Sequence, residues 1–223
     1  MELTGKKILV IGDSSTLDNT IADIISSLGG QVCRYNNIRA NTLESDIADL
    51  VEKSGPFDGY VFGVVHSDFR PLQFITSEIT DELMYENFTL FIDTMRILKK
   101  RKGLSNGASV VAMSSISSIR AMKTKTIFCS AKAALDAAIR CLAVELGSKG
   151  IRINSIQKGS VDVDFEKSHI QTITDINNNA AEHKQILGLT KATEVAHLVG
   201  FLLSDAAPTI TGTSIVIDGG YTL

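Results

Sequence analysis

KILVIGDSSTLDNTIADII, residues 7–25, decides the fold. Its opening KILVIG (7–12) is apolar on both parities, the pattern of a strand buried on both faces of a parallel sheet. Helix periodicity then takes over at 17–28 and stops at Gly29-Gly30. A buried strand, a turn and a helix in one short stretch form the first unit of an alternating α/β chain.

The alternation continues outward. Further strands are expected at about 31–35, YVFGVV (60–65), SVVAM (109–113), IRINSI (151–156) and SIVID (214–218). Helices are expected at 47–53, at 81–101 led by Thr80 with Glu82 in its first turn, at 128–146, and at about 193–204. In 128–146, Leu135, Ile139, Leu142 and Leu146 share one stripe, and Gly147 ends the run. The pattern describes one domain over 1–223: a doubly wound parallel sheet in a three-layer α/β/α sandwich, Rossmann-like. One interval is too short. After the second strand only NNIRANTLESD precedes the helix 47–53, less than a parallel crossover needs. Either the helix between strands two and three is missing, with strand three a stub near 38–42, or that strand is absent.

Bulk properties exclude several classes. The 223 residues are 44% hydrophobic and 21% charged with net charge −3, so nothing favours nucleic acid or an anionic membrane as partner. The run Lys99-Lys100-Arg101-Lys102 reads as cations at a helix C-terminus, with Gly103 as cap. Cys33, Cys129 and Cys141 have no paired spacing, and Met1 leads within six residues into a strand; a reduced, cytoplasmic protein is expected. No apolar run approaches the roughly 18 to 20 residues of a membrane span. The four histidines share no ligand spacing, so no metal is expected.

Chemistry-bearing residues gather at the expected strand ends. IGDSSTLD (11–18) lies where a doubly wound sheet binds a dinucleotide, but only Gly12 remains of the glycines such a turn uses; Thr16 and Asp18 occupy the later positions. Ser14, Ser15 and Thr16 can still donate hydrogen bonds there, while Asp13 and Asp18 bring negative charge. Asn87 falls in the stripe Leu83, Asn87, Leu90, Thr94, Leu98, where a buried amide needs partners, either neighbouring backbone or a held water. Ser114 and Ser115 follow the strand 109–113 at the carboxyl edge of the sheet, as a turn or a ligand site. Phe128 and Lys132, four apart, share a helix face; alone they read as a packing ring and a snorkelling cation.

Taken together, LTGKKILVIG, GPFDGYV, NFTLF, SVVAMSSIS, FCSAKAALDAAIRCLAVELGSKGIRINSI and EVAHLVGFLLSDAAPTITGTSIVIDGGYTL resemble the short-chain dehydrogenase/reductase superfamily nearly end to end. The resemblance implies hydride exchange between NAD or NADP and a carbonyl or alcohol. It implies a proton-donating tyrosine, a lysine one turn on that lowers the tyrosine pKa and holds the nicotinamide ribose, a substrate-orienting serine and a water-positioning asparagine. Motif by motif these fall on Phe128, Lys132, Ser115 and Asn87. A phenol titrates near 10 and is tuned by the ammonium, whereas phenylalanine has no proton to give.

The cofactor side departs as well. Gly12, Ser14, Ser15, Thr16 and Leu17 stand in the glycine motif, and Phe62-Gly63-Val64-Val65 in the segment lining the adenosine side. Ala40 replaces an adenine-contacting aspartate, Lys158-Gly159 a proline-glycine, and Val163 a threonine; Asn36 is neither the acid that favours NAD nor an arginine. Two readings follow: an oxidoreductase-like protein with an altered site, in which Ser115, Lys132 and water replace the tyrosine and a loosened pocket still admits NAD or NADP for a small polar substrate, or a catalytically inactive homologue kept for binding, regulation or assembly. The resemblance also implies a homo-oligomer, dimer or tetramer, through 81–101 and 128–146, whose small face Ala131, Ala134, Ala138 allows close helix approach. The polar stretch 160–190, with Asn177-Asn178-Asn179 and His183, suggests a sugar or other polar ligand.

Overall fold

A computed structural model describes residues 1–36, 38–163 and 185–223. In chain order the elements are β1 (Lys7–Ile11), α1 (Thr16–Ser27), β2 (Gln31–Tyr35), α2 (Leu43–Ser54) and β3 (Phe57–Phe62). Then come α3 (Ser77–Met84), a π-turn (Tyr85–Thr89), α4 (Leu90–Lys100) and β4 (Leu104–Ser115). After a 3-10 turn at Ile116–Ser118 follow α5 (Thr126–Leu146), β5 (Arg152–Lys158), α6 (Ala192–Leu203) and β6 (Ser214–Ile217). Among the described residues six strands form one parallel sheet, in the order β2-β1-β3-β4-β5-β6.

Strand parity explains the layers. On β1, Ile8 and Val10 join α1 and α6 through Ile21, Ile25, Val195 and Val199 in one core. Leu9 and Ile11 face the other core, with Ile47 of α2, Phe91 of α4 and Leu135 of α5. Alternate residues of one strand thus serve both faces, and this is why the strands are apolar throughout.

The short interval after β2 is resolved by absence. Residues 38–42 form no strand; β2 is the sheet edge, and α2 carries the chain directly to β3. Tyr35 and Thr42 both donate to the Asp46 carboxylate at 2.8 Å and so fasten this connection to α2, which begins at Leu43 rather than 47.

Other boundaries differ for identifiable reasons. The helix expected at 81–101 starts at Ser77: Thr76 has the extended backbone of a cap and accepts from Ile79 N–H, while Thr80 is already helical and donates to Thr76 O. A π-turn then interrupts it at Asn87. At its far end Lys102, not Gly103, takes the left-handed conformation, and Gly103 N–H bonds Leu98 O at 2.8 Å. β3 ends at Phe62, so Gly63–Val65 lie beyond the sheet, whereas Ser114 and Ser115 are the last residues of β4, opposite Gln157 and Lys158. Among the described residues no helix is long and apolar enough to cross a membrane. Most of the stretch 160–190, Asn177–Asn179 and His183 included, lies outside the described residues.

Candidate active site

Lys132 organises one half of the site. It is fully buried on α5, and its ammonium donates to Val64 O (3.2 Å), just past β3, and to Met113 O (3.0 Å), in β4. No carboxylate is among these partners. Burial pushes its pKa down to about 7, helped by the Lys158 cation and opposed by Asp136. One turn earlier the Phe128 ring is buried with its centroid 5.8 Å from this ammonium; Lys125 lies 5.4 Å from the same ring and 4.1 Å over Phe69.

Ser115 and Asn87 reach Lys132 through the backbone. Ser115 stands two residues beyond Met113 and accepts from Ser117 N–H at 3.1 Å, capping the short turn that leaves β4. Asn87, fully buried in the π-turn, donates to His66 O (2.8 Å) and Leu83 O (3.0 Å) and accepts from His66 N–H (3.1 Å). It thereby fixes the chain two residues past Val64, whose carbonyl receives Lys132. The π-turn places the amide at that depth, and such turns concentrate at functional sites. A small cleft lined by Asp68, Arg70, Ile79, Leu83, Thr124 and Phe128 opens beside the ring.

A buried polar set behind the lysine escaped the sequence reading. Asp136, one turn after Lys132, accepts from Ser155 Oγ (2.7 Å) and Gln157 Nε2 (2.8 Å), and Gln157 also donates to Ser118 Oγ (2.9 Å). The signal was present: an aspartate at i+4 on an apolar stripe, opposite two polar residues of equal parity in β5.

The other half lies where β1 and β3 end. β2 lies on one side of β1 and β3 on the other, so their connections diverge here, the ligand crevice of open α/β sheets. Gly12 follows β1; Ser14 takes a left-handed φ of 66°; Ser15 caps α1 by accepting from Asp18 N–H at 3.2 Å. Thr16 opens α1 and is exposed, Leu17 is buried in the core, and Asn36 is exposed just past β2. Gly12, Ser14, Ser15 and Thr16 thus lie along the turn from β1 into α1 and Asn36 past β2, whereas Leu17 belongs to the core and Lys132 serves the next gap, between β3 and β4. Asp18 is expected from the sequence at a later position of the glycine motif, as an added charge near the phosphates. Its carboxyl in fact turns inward, buried, accepting from Asp13 N–H at 2.9 Å. Burial, reinforced by Asp13, pushes its pKa up to about 7.

A family model described as "Enoyl-(Acyl carrier protein) reductase" matches residues 2–222. The chain belongs to the short-chain dehydrogenase/reductase superfamily. L-xylulose reductase of Caenorhabditis elegans is 28% identical over 249 residues, covering 99% of this chain and 97% of that protein. The NADH enoyl-[acyl-carrier-protein] reductase FabI of Bacillus cereus is 26% identical over 246 residues, covering 99% and 94%. A short-chain type dehydrogenase/reductase from Mycobacterium marinum superposes with a TM-score of 0.86 at 21% identity, covering 99% and 97% of the two chains, a likeness of fold.

Short-chain dehydrogenase/reductases are oxidoreductases of the NAD(P) type, and the two halves of this one fit such a cofactor unequally. Lys132 keeps one ammonium proton beyond the two given to carbonyls. At the first turn the fit fails. A Cβ on Gly12 or on Gly63 would overlap the Asp18 carboxyl, so the space between these glycines is filled by the chain itself.

Proposed function

We propose that this protein is a short-chain dehydrogenase/reductase relative that has lost tyrosine-type proton donation and acts by binding a small polar carbonyl or hydroxyl compound. The observation that carries the reading is Phe128: on the face of α5 shared with Lys132, at the place where the resemblance puts the tyrosine, stands a buried ring without a proton. A missing general acid lowers the rate about 10² to 10⁴-fold. The next residue, Cys129, does not stand in for it, because successive side chains on a helix point about 100° apart.

The remaining groups suit binding. Ser115 presents a hydroxyl at the end of β4, Lys132 braces the chain on either side through Val64 and Met113, and Asn87 fixes the wall at His66. A ketose-like ligand agrees with the xylulose-reducing relative and with the polar cleft residues Asp68, Arg70 and Thr124. The experiment is paired: calorimetric titration with small ketoses and polyols, and assay of NADH or NADPH oxidation with the same compounds. Saturable ketose binding, weakened by Ser115→Ala and without turnover, is expected. Turnover at an ordinary enzymatic rate, on the order of 1 to 10³ per second, would overturn it.

Self-association through the outer faces of α4 and α5 belongs to the same proposal, because Val144 of α5 is 85% exposed on an otherwise orderly amphipathic helix. A strictly monomeric mass in solution would remove that part.

A further inference from the structure

We infer that the dinucleotide-phosphate crevice of this chain is closed by its own Asp18 carboxyl, so that the unaltered protein does not take up NAD(H) or NADP(H) as its superfamily does. The inference goes beyond the loss of the proton donor, since it concerns the opposite half of the site and a different step, binding rather than chemistry.

Occupancy is the first ground. Phosphates of a dinucleotide lie past the carboxyl ends of the strands, against a helix N-terminus, where small residues let them approach the backbone. Gly12 and Gly63 are those small residues, one after β1 and one after β3. What approaches them is not open space: Asp18 Oδ2 stands over Gly12 and Oδ1 over Gly63, each inside the volume of a single methyl group. The carboxyl wedges the gap that the two glycines leave.

Donor use is the second. Asp13 N–H bonds Asp18 Oδ2 (2.9 Å), Ser15 N–H bonds Asp13 Oδ1 (2.9 Å), and Asp18 N–H bonds Ser15 Oγ (3.2 Å). Three backbone donors of the turn are thus engaged by its own side chains, and two of those side chains are carboxyls. A phosphate entering here would have to displace carboxyls already seated on the helix N-terminus. The Arg34 guanidinium, on β2, is directed to Asn19 Oδ1 at 2.6 Å.

The third is the state of the wedge itself. Asp18 is 1% exposed, and its Oδ1 has no donor among the described residues. A carboxylate kept only to cap the helix would turn both oxygens to N–H groups. One oxygen instead fills space beside Gly63. The cap of α1 is already supplied by Ser15.

The test is equilibrium binding of NADH and NADPH, followed by nicotinamide fluorescence, with thermal melts to show that each protein is folded. The unaltered chain should show no saturable binding up to millimolar dinucleotide. Asp18→Gly and Asp18→Ala should each gain at least tenfold in affinity, and Asp18→Asn, which keeps the shape of the wedge, should gain clearly less. Micromolar binding by the unaltered chain overturns the inference, as does an Asn variant that gains as much as Ala. Absence of any gain in Gly and Ala variants that still melt cooperatively does so too. Binding without carbonyl turnover would sink this inference and leave the loss of the proton donor standing, so the two can fail separately.

Discussion

The two halves of the site have diverged in different ways. Around Lys132 the frame is intact: Asn87 holds His66, Lys132 joins Val64 to Met113, and Ser115 stands at the end of β4. On the function proposed above, one atom group, the hydroxyl that the Phe128 ring does not carry, separates this half from a proton-donating arrangement. At the end of β1 the frame is also intact, with strand, turn and helix in place, but the chemistry of the turn is inverted. Two carboxyls and a left-handed serine stand where glycines and N–H groups would receive an anion. On that reading the first half lacks a reactive atom and keeps its shape, whereas the second keeps its backbone and gives its space to a side chain.

The sharpest way to break this contrast is to repair both halves. Phe128→Tyr alone should leave carbonyl reduction near background, because the cofactor is still excluded. Combined with Asp18→Gly it should raise NAD(P)H-dependent ketone reduction by about 10² or more, the contribution of a positioned general acid, in a spectrophotometric assay. Equal activity in the single and double variants would show that the two halves are not defective separately.

Proton linkage distinguishes the halves next. Folded Asp18 holds its proton up to about pH 7, whereas the unfolded side chain releases it near 3.8. Its contribution to stability is therefore fully present below about pH 4 and is lost as pH rises through 7. Asp18→Asn should be more stable than the unaltered chain at pH 8 by roughly 2 to 4 kcal/mol, and no more stable at pH 4, in urea melts. Lys132 runs the other way: its folded amine deprotonates near 7 and its unfolded one near 10.5, so its contribution grows between those values. Lys132→Met should flatten the alkaline limb alone.

Asn87→Ala tests the intact half. It leaves the N–H and C=O of His66 without their partner and opens a cavity in the π-turn, which should cost about 2 to 3 kcal/mol by chemical denaturation. The smallest effect belongs to Ser15→Ala, which removes the cap of α1 and should lower stability by about 1 kcal/mol.

Much of this was legible in the residues. The doubly apolar strands and the glycine pair after α1 gave the sheet and its two cores, because burial on both faces leaves a pattern that needs no tertiary information. Asn87 was recognisable as a buried amide from its place in a hydrophobic stripe. The start of α3 was not, since Thr76 and Thr80 are both followed by a glutamate two residues on, and only backbone geometry selects Thr76. The π-turn was also hidden, as no residue type enforces it.

By itself the sequence determined the fold class and the superfamily, and it set a phenylalanine at residue 128, all of which are matters of residue identity and spacing. Only the tertiary structure decided where Asp18 points and whom Lys132 bonds. A charge at a helix start is read equally well as a solvated group or a buried wedge, and the difference lies in Gly12 and Gly63, brought together from separate strands to make the space it fills. Local pattern fixes which residues form strands and helices; contacts between distant segments fix what their side chains can still do.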